Sequence, residues 1–79
     1  MRMSNQYGTQ PLDRIMTGLG ITNSDLVRAS TEQITHKMVQ KGRKGRQLTL
    51  HIRQKLLNAL NNAQPGQVFA LRDLFNYGP

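Results

Sequence analysis

Seventy-nine residues hold one domain, and a chain that short buries a thin core; with no cysteine, neither disulfides nor a thiolate zinc site can brace it. Eleven Lys and Arg oppose four acids, for a net charge of +7. No apolar run approaches the ~20 residues of a membrane span and the polar N-terminus lacks a signal peptide's apolar stretch, so a cytoplasmic protein with no membrane partner is expected.

Residues 1–8 carry no periodicity and read as a flexible arm. Thr9-Gln10-Pro11 opens a helix whose stripe is Leu12, Ile15, Met16 and Leu19, at i, i+3, i+4 and i+7, and Gly18 and Gly20 end it. Thr22-Asn23-Ser24-Asp25 is a capping-box start for a helix of about two turns that buries Leu26, Val27 and Ala29. Ser30-Thr31-Glu32-Gln33 repeats the box eight residues on, so a tight turn and a third helix follow, from Thr31 to Lys41, with Ile34, Met38 and Val39 inward and Gly42 as the stop. Gly42-Arg43-Lys44-Gly45-Arg46 then reads as a basic loop. Thr49 caps the strongest helix, Leu50 to Asn61, with Ile52, Leu56, Leu57, Ala59 and Leu60 on its apolar face, and Gln64-Pro65-Gly66-Gln67 is a turn. The expected fold is all-α, a compact helix-turn-helix domain of four to five helices over 9–62. A tail over 63–79 holds either a short C-terminal strand leading into one helical turn or a single short helix.

Function is signalled by where the charge lies. Three acids fall in the first 32 residues and the fourth is Asp73; Lys37, Lys41, Arg43, Lys44, Arg46, Arg53, Lys55 and Arg72 stand between them unopposed. A solubilising surface mixes its signs, whereas a one-signed field attracts a polyanion by counterion release. The amide, hydroxyl and imidazole groups of Gln33, Thr35, His36 and Gln40, with Lys37, suit base edges in a major groove. Lys41, Arg43, Lys44 and Arg46 suit phosphates, and the loop's two glycines would let backbone N–H groups approach one.

Leu19-Gly-Ile-Thr-Asn-Ser-Asp-Leu26, Val39-Gln-Lys-Gly42 and Leu56-Leu57-Asn58-Ala59-Leu60-Asn61 resemble, in order, three stretches of the Cro/cI-repressor-like (XRE-type) helix-turn-helix family. These are the approach to its second helix, the end of its recognition helix and its closing helix. The stretch departs from that pattern in three places: Gln40 replaces an acid, the turn lacks a glycine, and it is about one residue short. The resemblance implies a sequence-specific transcriptional regulator that binds a roughly palindromic duplex DNA site as a dimer. Two alternatives stay open: an RNA-binding or ribosome-associated basic protein, and an adaptor docking an acidic protein.

Nothing in the chain suggests chemistry. His36 and His51 are the only histidines and have no ligand cluster about them, so no metal or other cofactor is expected. The acids are scattered, and Ser24 and Ser30 are explained as helix-start residues, so an enzyme is not expected. Val68, Phe69, Leu71, Leu74 and Phe75 place five apolar groups in eight residues, which either close the core or form a homodimer contact.

Overall fold

A computed structural model describes residues 7–78. Five helices follow one another: α1 (Pro11–Leu19), α2 (Asn23–Ala29), α3 (His36–Lys44), α4 (Leu50–Ala63) and α5 (Leu71–Leu74). The domain is all-α, with no strand among the described residues. Pro11 supplies the first position of α1, where its missing N–H costs nothing. Gly20 ends that helix at φ 70°, its N–H turned back on the carbonyls of Met16 and Thr17. Thr22 and Asp25 form the reciprocal box at the start of α2: Thr22 N–H donates to the Asp25 carboxylate at 2.9 Å, and Asp25 N–H donates to the Thr22 hydroxyl at 3.1 Å.

The second box is not a helix start. Ser30 Oγ accepts the N–H of Glu32 at 3.0 Å and donates to the Glu32 carbonyl, closing a local turn instead. Ile34 is buried, which draws the chain inward through an extended stretch before Thr35 caps α3 by accepting the Met38 N–H at 3.1 Å. The third helix therefore begins five residues later than the sequence suggests. It also runs on through Gly42, which is buried in its interior: a Cβ there would lie 2.8 Å from Leu56 Cδ1. Gly42 is thus a packing residue, and Gly45, at φ 92°, is the actual stop.

Leu12, Met16, Leu26, Val39, Leu56 and Leu60 are fully enclosed and form the centre of the core. Helix α4 lies against α2, α3 and α5, while α1 lies against α3 and α5. It reaches two residues beyond the expected end, and Asn61 pins the tail instead of fraying the helix. Its amide accepts the Phe69 N–H at 2.8 Å and donates to the Phe69 carbonyl at 3.2 Å, satisfying an extended segment that has no strand partner. Beyond it, Ala70 N–H donates to Asp73 and opens α5, a single turn. The tail closes the core: Leu74 and Phe75 are 0% and 4% exposed, with Phe69 and Leu71 packed beside them. Within the single chain Leu74 and Phe75 face the core, and of the five tail apolars only Val68, 90% exposed, stands free of it.

The expected arm lies partly outside the described residues. Within them, Tyr7 and Gly8 are fixed in place. Tyr7 N–H donates to the Gly45 carbonyl at 3.1 Å, and its ring stacks on Tyr77 with centroids 4.1 Å apart. Buried Gln10 donates to the carbonyls of Tyr7 and Gly8 and accepts the Asn76 N–H at 2.8 Å, so it joins both ends of the chain. Gly8 passes so close to Gly45 that a Cβ on Gly45 would overlap its backbone.

Candidate nucleic-acid interface

Helix α3 sits on the body through Val39 and Gly42, with Met38 half-buried. The opposite face carries His36, Lys37, Gln40 and Lys44, at i, i+1, i+4 and i+8, all exposed; Lys41 is half-buried at its edge. Arg46 is exposed just beyond the helix. The face holds no acid, and the chain's four carboxylates are all engaged elsewhere. Asp13 pairs with Arg43, Asp25 with Thr22 and Arg28, Glu32 accepts from Asn58, and Asp73 caps α5. The Thr22 backbone N–H, then its hydroxyl, and the Arg28 guanidinium hold the Asp25 carboxyl below the usual aspartate value, against a smaller opposing effect of desolvation.

The structure gathers some of the sequence-predicted residues and removes others. Gln33 lies in the turn before α3, where its carbonyl is 3.5 Å from Lys55 Nζ, and Thr35 is the helix cap. Both flank the outer face at its N-terminal end instead of standing on it. Arg43, expected on a phosphate, faces inward. Its guanidinium donates to Asp13 at 2.7 Å, to Asn23 at 2.7 Å and to Thr17 at 3.3 Å, and its side chain is 17% exposed. Those bonds clamp α3 to α1 and α2. Arg53, which the charge count places in the polyanion field, is 5% exposed; it donates to the carbonyls of Leu48 and Tyr77 and lies 4.9 Å from the Tyr77 ring centroid. The two glycines are packed: Gly42 faces Leu56, and Gly45 spends its N–H on Lys41 and is covered by Gly8.

The expected basic loop is thus the last turn of α3 followed by a short, firmly held link. Arg46 N–H donates to the Lys41 carbonyl at 3.1 Å, and its own carbonyl accepts the Tyr77 phenol at 3.1 Å. Of the link's side chains, Arg46 and Gln47 are exposed, and Arg46 carries the charge. One residue of the site has no individual signal in the sequence beyond helix capping. Asn23, at the first position of α2, donates to Gln40 at 3.0 Å and accepts from Arg43.

Among the described residues no three His, Cys, Asp or Glu side chains gather as a metal site, and no helix is long and apolar enough to cross a membrane. No known family, curated protein or solved structure matches the chain.

Proposed function

We propose that the chain is a sequence-specific duplex-DNA-binding protein of helix-turn-helix type, a small transcriptional regulator acting in the cytoplasm. In this reading α3 lies in the major groove. His36, Lys37 and Gln40 face base edges, while Lys41, Lys44 and Arg46 grip phosphates. The observation that carries it is the outer face of α3: exposed, acid-free, rich in cations and amide, and held from behind by α1, α2 and α4.

Two features favour duplex DNA over RNA. A helix fits the B-form major groove, about 12 Å wide, whereas the A-form groove is too deep and narrow for side chains to read. Single-stranded RNA is held by aromatic platforms, and here none of the four aromatics lies on α3. Tyr7 and Tyr77 stack on each other, Phe75 is buried, and Phe69 packs on the core.

The test is binding of a random-sequence DNA duplex across a salt series, beside an RNA duplex of the same length. Three cations on phosphates predict a log–log slope of about −3 for B-DNA. No binding at low salt, or a slope near zero, sinks the polyanion reading. Tighter binding to the RNA duplex sinks the groove reading.

A further inference from the structure

A hydrogen-bond chain rooted in a charged pair ends on the outer face of α3. Arg43 Nε donates to Asp13 Oδ1 at 2.7 Å; its NH1 donates to Asn23 Oδ1 at 2.7 Å; Asn23 Nδ2 donates to Gln40 Oε1 at 3.0 Å. Chemistry fixes the sense of this chain. A guanidinium has five donors and no acceptor, so Asn23 must turn its carbonyl oxygen toward Arg43. Its NH2 is then all it can offer Gln40, which must present its own carbonyl inward. Flipping either amide would set two donors face to face. Asp13 and Thr17 keep Arg43 from swinging away.

An unrestrained glutamine offers a donor and an acceptor equally and suits adenine, whose edge carries both. Gln40 is not unrestrained: its side chain is exposed, and the fixed inward carbonyl leaves the NH2 as the outward group. We infer that Asn23 and Arg43 set the base specificity of α3 by presenting Gln40 to the groove as a hydrogen-bond donor. This rests on the duplex-DNA reading above. The base edge it selects is an acceptor, the N7 and O6 of guanine, and the edge it rejects is the N4 amino group of cytosine. Asn23 and Arg43 are positioning residues, and Gln40 is the one that touches the base.

The substitution Asn23→Asp reverses the polarity with little other change. Asp still accepts from Arg43, but it offers Gln40 an acceptor, so Gln40 turns its NH2 inward and shows its carbonyl to the groove. An acid in the first turn of α2 is favourable to the helix. Wild type, N23D and Gln40→Ala, each as the full chain, are taken through selection from random duplex DNA, with side-chain amide exchange followed by NMR on the free proteins. Wild type is expected to prefer guanine at one position by about three- to tenfold. N23D should invert that preference to cytosine, and Q40A should be indifferent there. In the free wild type the Asn23 NH2 exchanges slowly and that of Gln40 fast; in N23D the Gln40 NH2 slows. An unchanged preference in N23D or Q40A overturns the inference while leaving DNA binding intact. So do equal exchange rates for the two wild-type amides, a readout that stands even if N23D does not fold. A wild type that binds no duplex overturns the functional reading and this inference with it.

Discussion

The phenol oxygen of Tyr77 accepts the amide N–H of Leu48 at 3.0 Å, across 29 positions of sequence. The same hydroxyl donates to the Arg46 carbonyl at 3.1 Å, while the Leu48 carbonyl accepts from Arg53 at 3.2 Å. The link between α3 and α4 is therefore held by side chains from the far end of the chain and from α4. Its conformation, and with it the place from which Arg46 reaches out, depends on the tail being docked.

Tyr77→Phe keeps the ring, its stack on Tyr7 and the Arg53 contact, and removes only the hydroxyl. One part-buried and one exposed hydrogen bond are lost and the Leu48 N–H is left without a partner, so destabilisation of about 1–3 kcal/mol is expected. Urea unfolding reads the stability, and amide exchange reads the local effect: the Leu48 N–H should exchange faster in the variant by more than the loss of global stability accounts for. No change in either measurement would mean the phenol does not hold the link.

The helices were legible in the sequence wherever one local signal decided. Pro11, the Thr22/Asp25 box, Thr49 and the apolar face of Leu56, Leu57 and Leu60 placed α1, α2 and α4 within a residue or two. The start of α3 was not, because two hydroxyl caps competed and burial of Ile34, a tertiary demand, chose Thr35 over Ser30. Gly42 misled for a related reason, since a glycine that ends a helix and one that packs against a neighbouring leucine look alike in sequence. His36, Lys37, Gln40 and Lys44 could be picked by residue type and do share one face. The roles of Arg43, Arg53 and Asn23 could not be read, because each is set by partners 5 to 30 positions away that no periodicity marks.

Arg43 and Lys44 are neighbours with opposite expected phenotypes. Arg43→Ala breaks the pair with Asp13 and the bonds to Asn23 and Thr17; the pair is partly solvated, so the loss is about 1–2 kcal/mol of stability. Lys44→Ala should leave stability within about 0.5 kcal/mol. It should weaken binding to all DNA sequences alike and flatten the salt slope by about 0.9. Urea midpoints and duplex titrations on the two variants check this, and the reverse pattern would return Arg43 to the phosphate contacts.

Asp25 gives the fold an acid-sensitive element. Its folded-state pKa is lowered by the Thr22 N–H and hydroxyl and by Arg28, so the stabilisation is present above the ordinary aspartate value and is lost as pH falls through the depressed one. The urea midpoint should fall as pH drops below the normal aspartate range, and Asp25→Asn should lose that part of the dependence. Identical pH profiles for the two proteins would show that the capping carboxylate contributes none of it.

The tail separates core from surface within eight residues, and two substitutions distinguish them. Phe75 is 4% exposed, sits beside fully buried Leu74 and meets Tyr77 edge-on with ring centroids 5.9 Å apart. Truncating a buried phenylalanine costs about 3–5 kcal/mol, and a domain of this size has a total stability of only about 4–12 kcal/mol. Phe75→Ser adds an unpaired hydroxyl to that loss, so the variant should melt far below the wild type or fail to fold. Val68, at 90% exposure, makes no such contribution, and Val68→Ser should shift stability by less than about 0.5 kcal/mol. Circular dichroism melting and sedimentation are run together, because a dimer contact would behave differently. A Phe75→Ser chain that keeps its helicity and melting point but halves its mass would place the tail at an interface between copies. Loss of helicity at unchanged wild-type mass places it in the core, where α5 closes the bundle against α1 and α4.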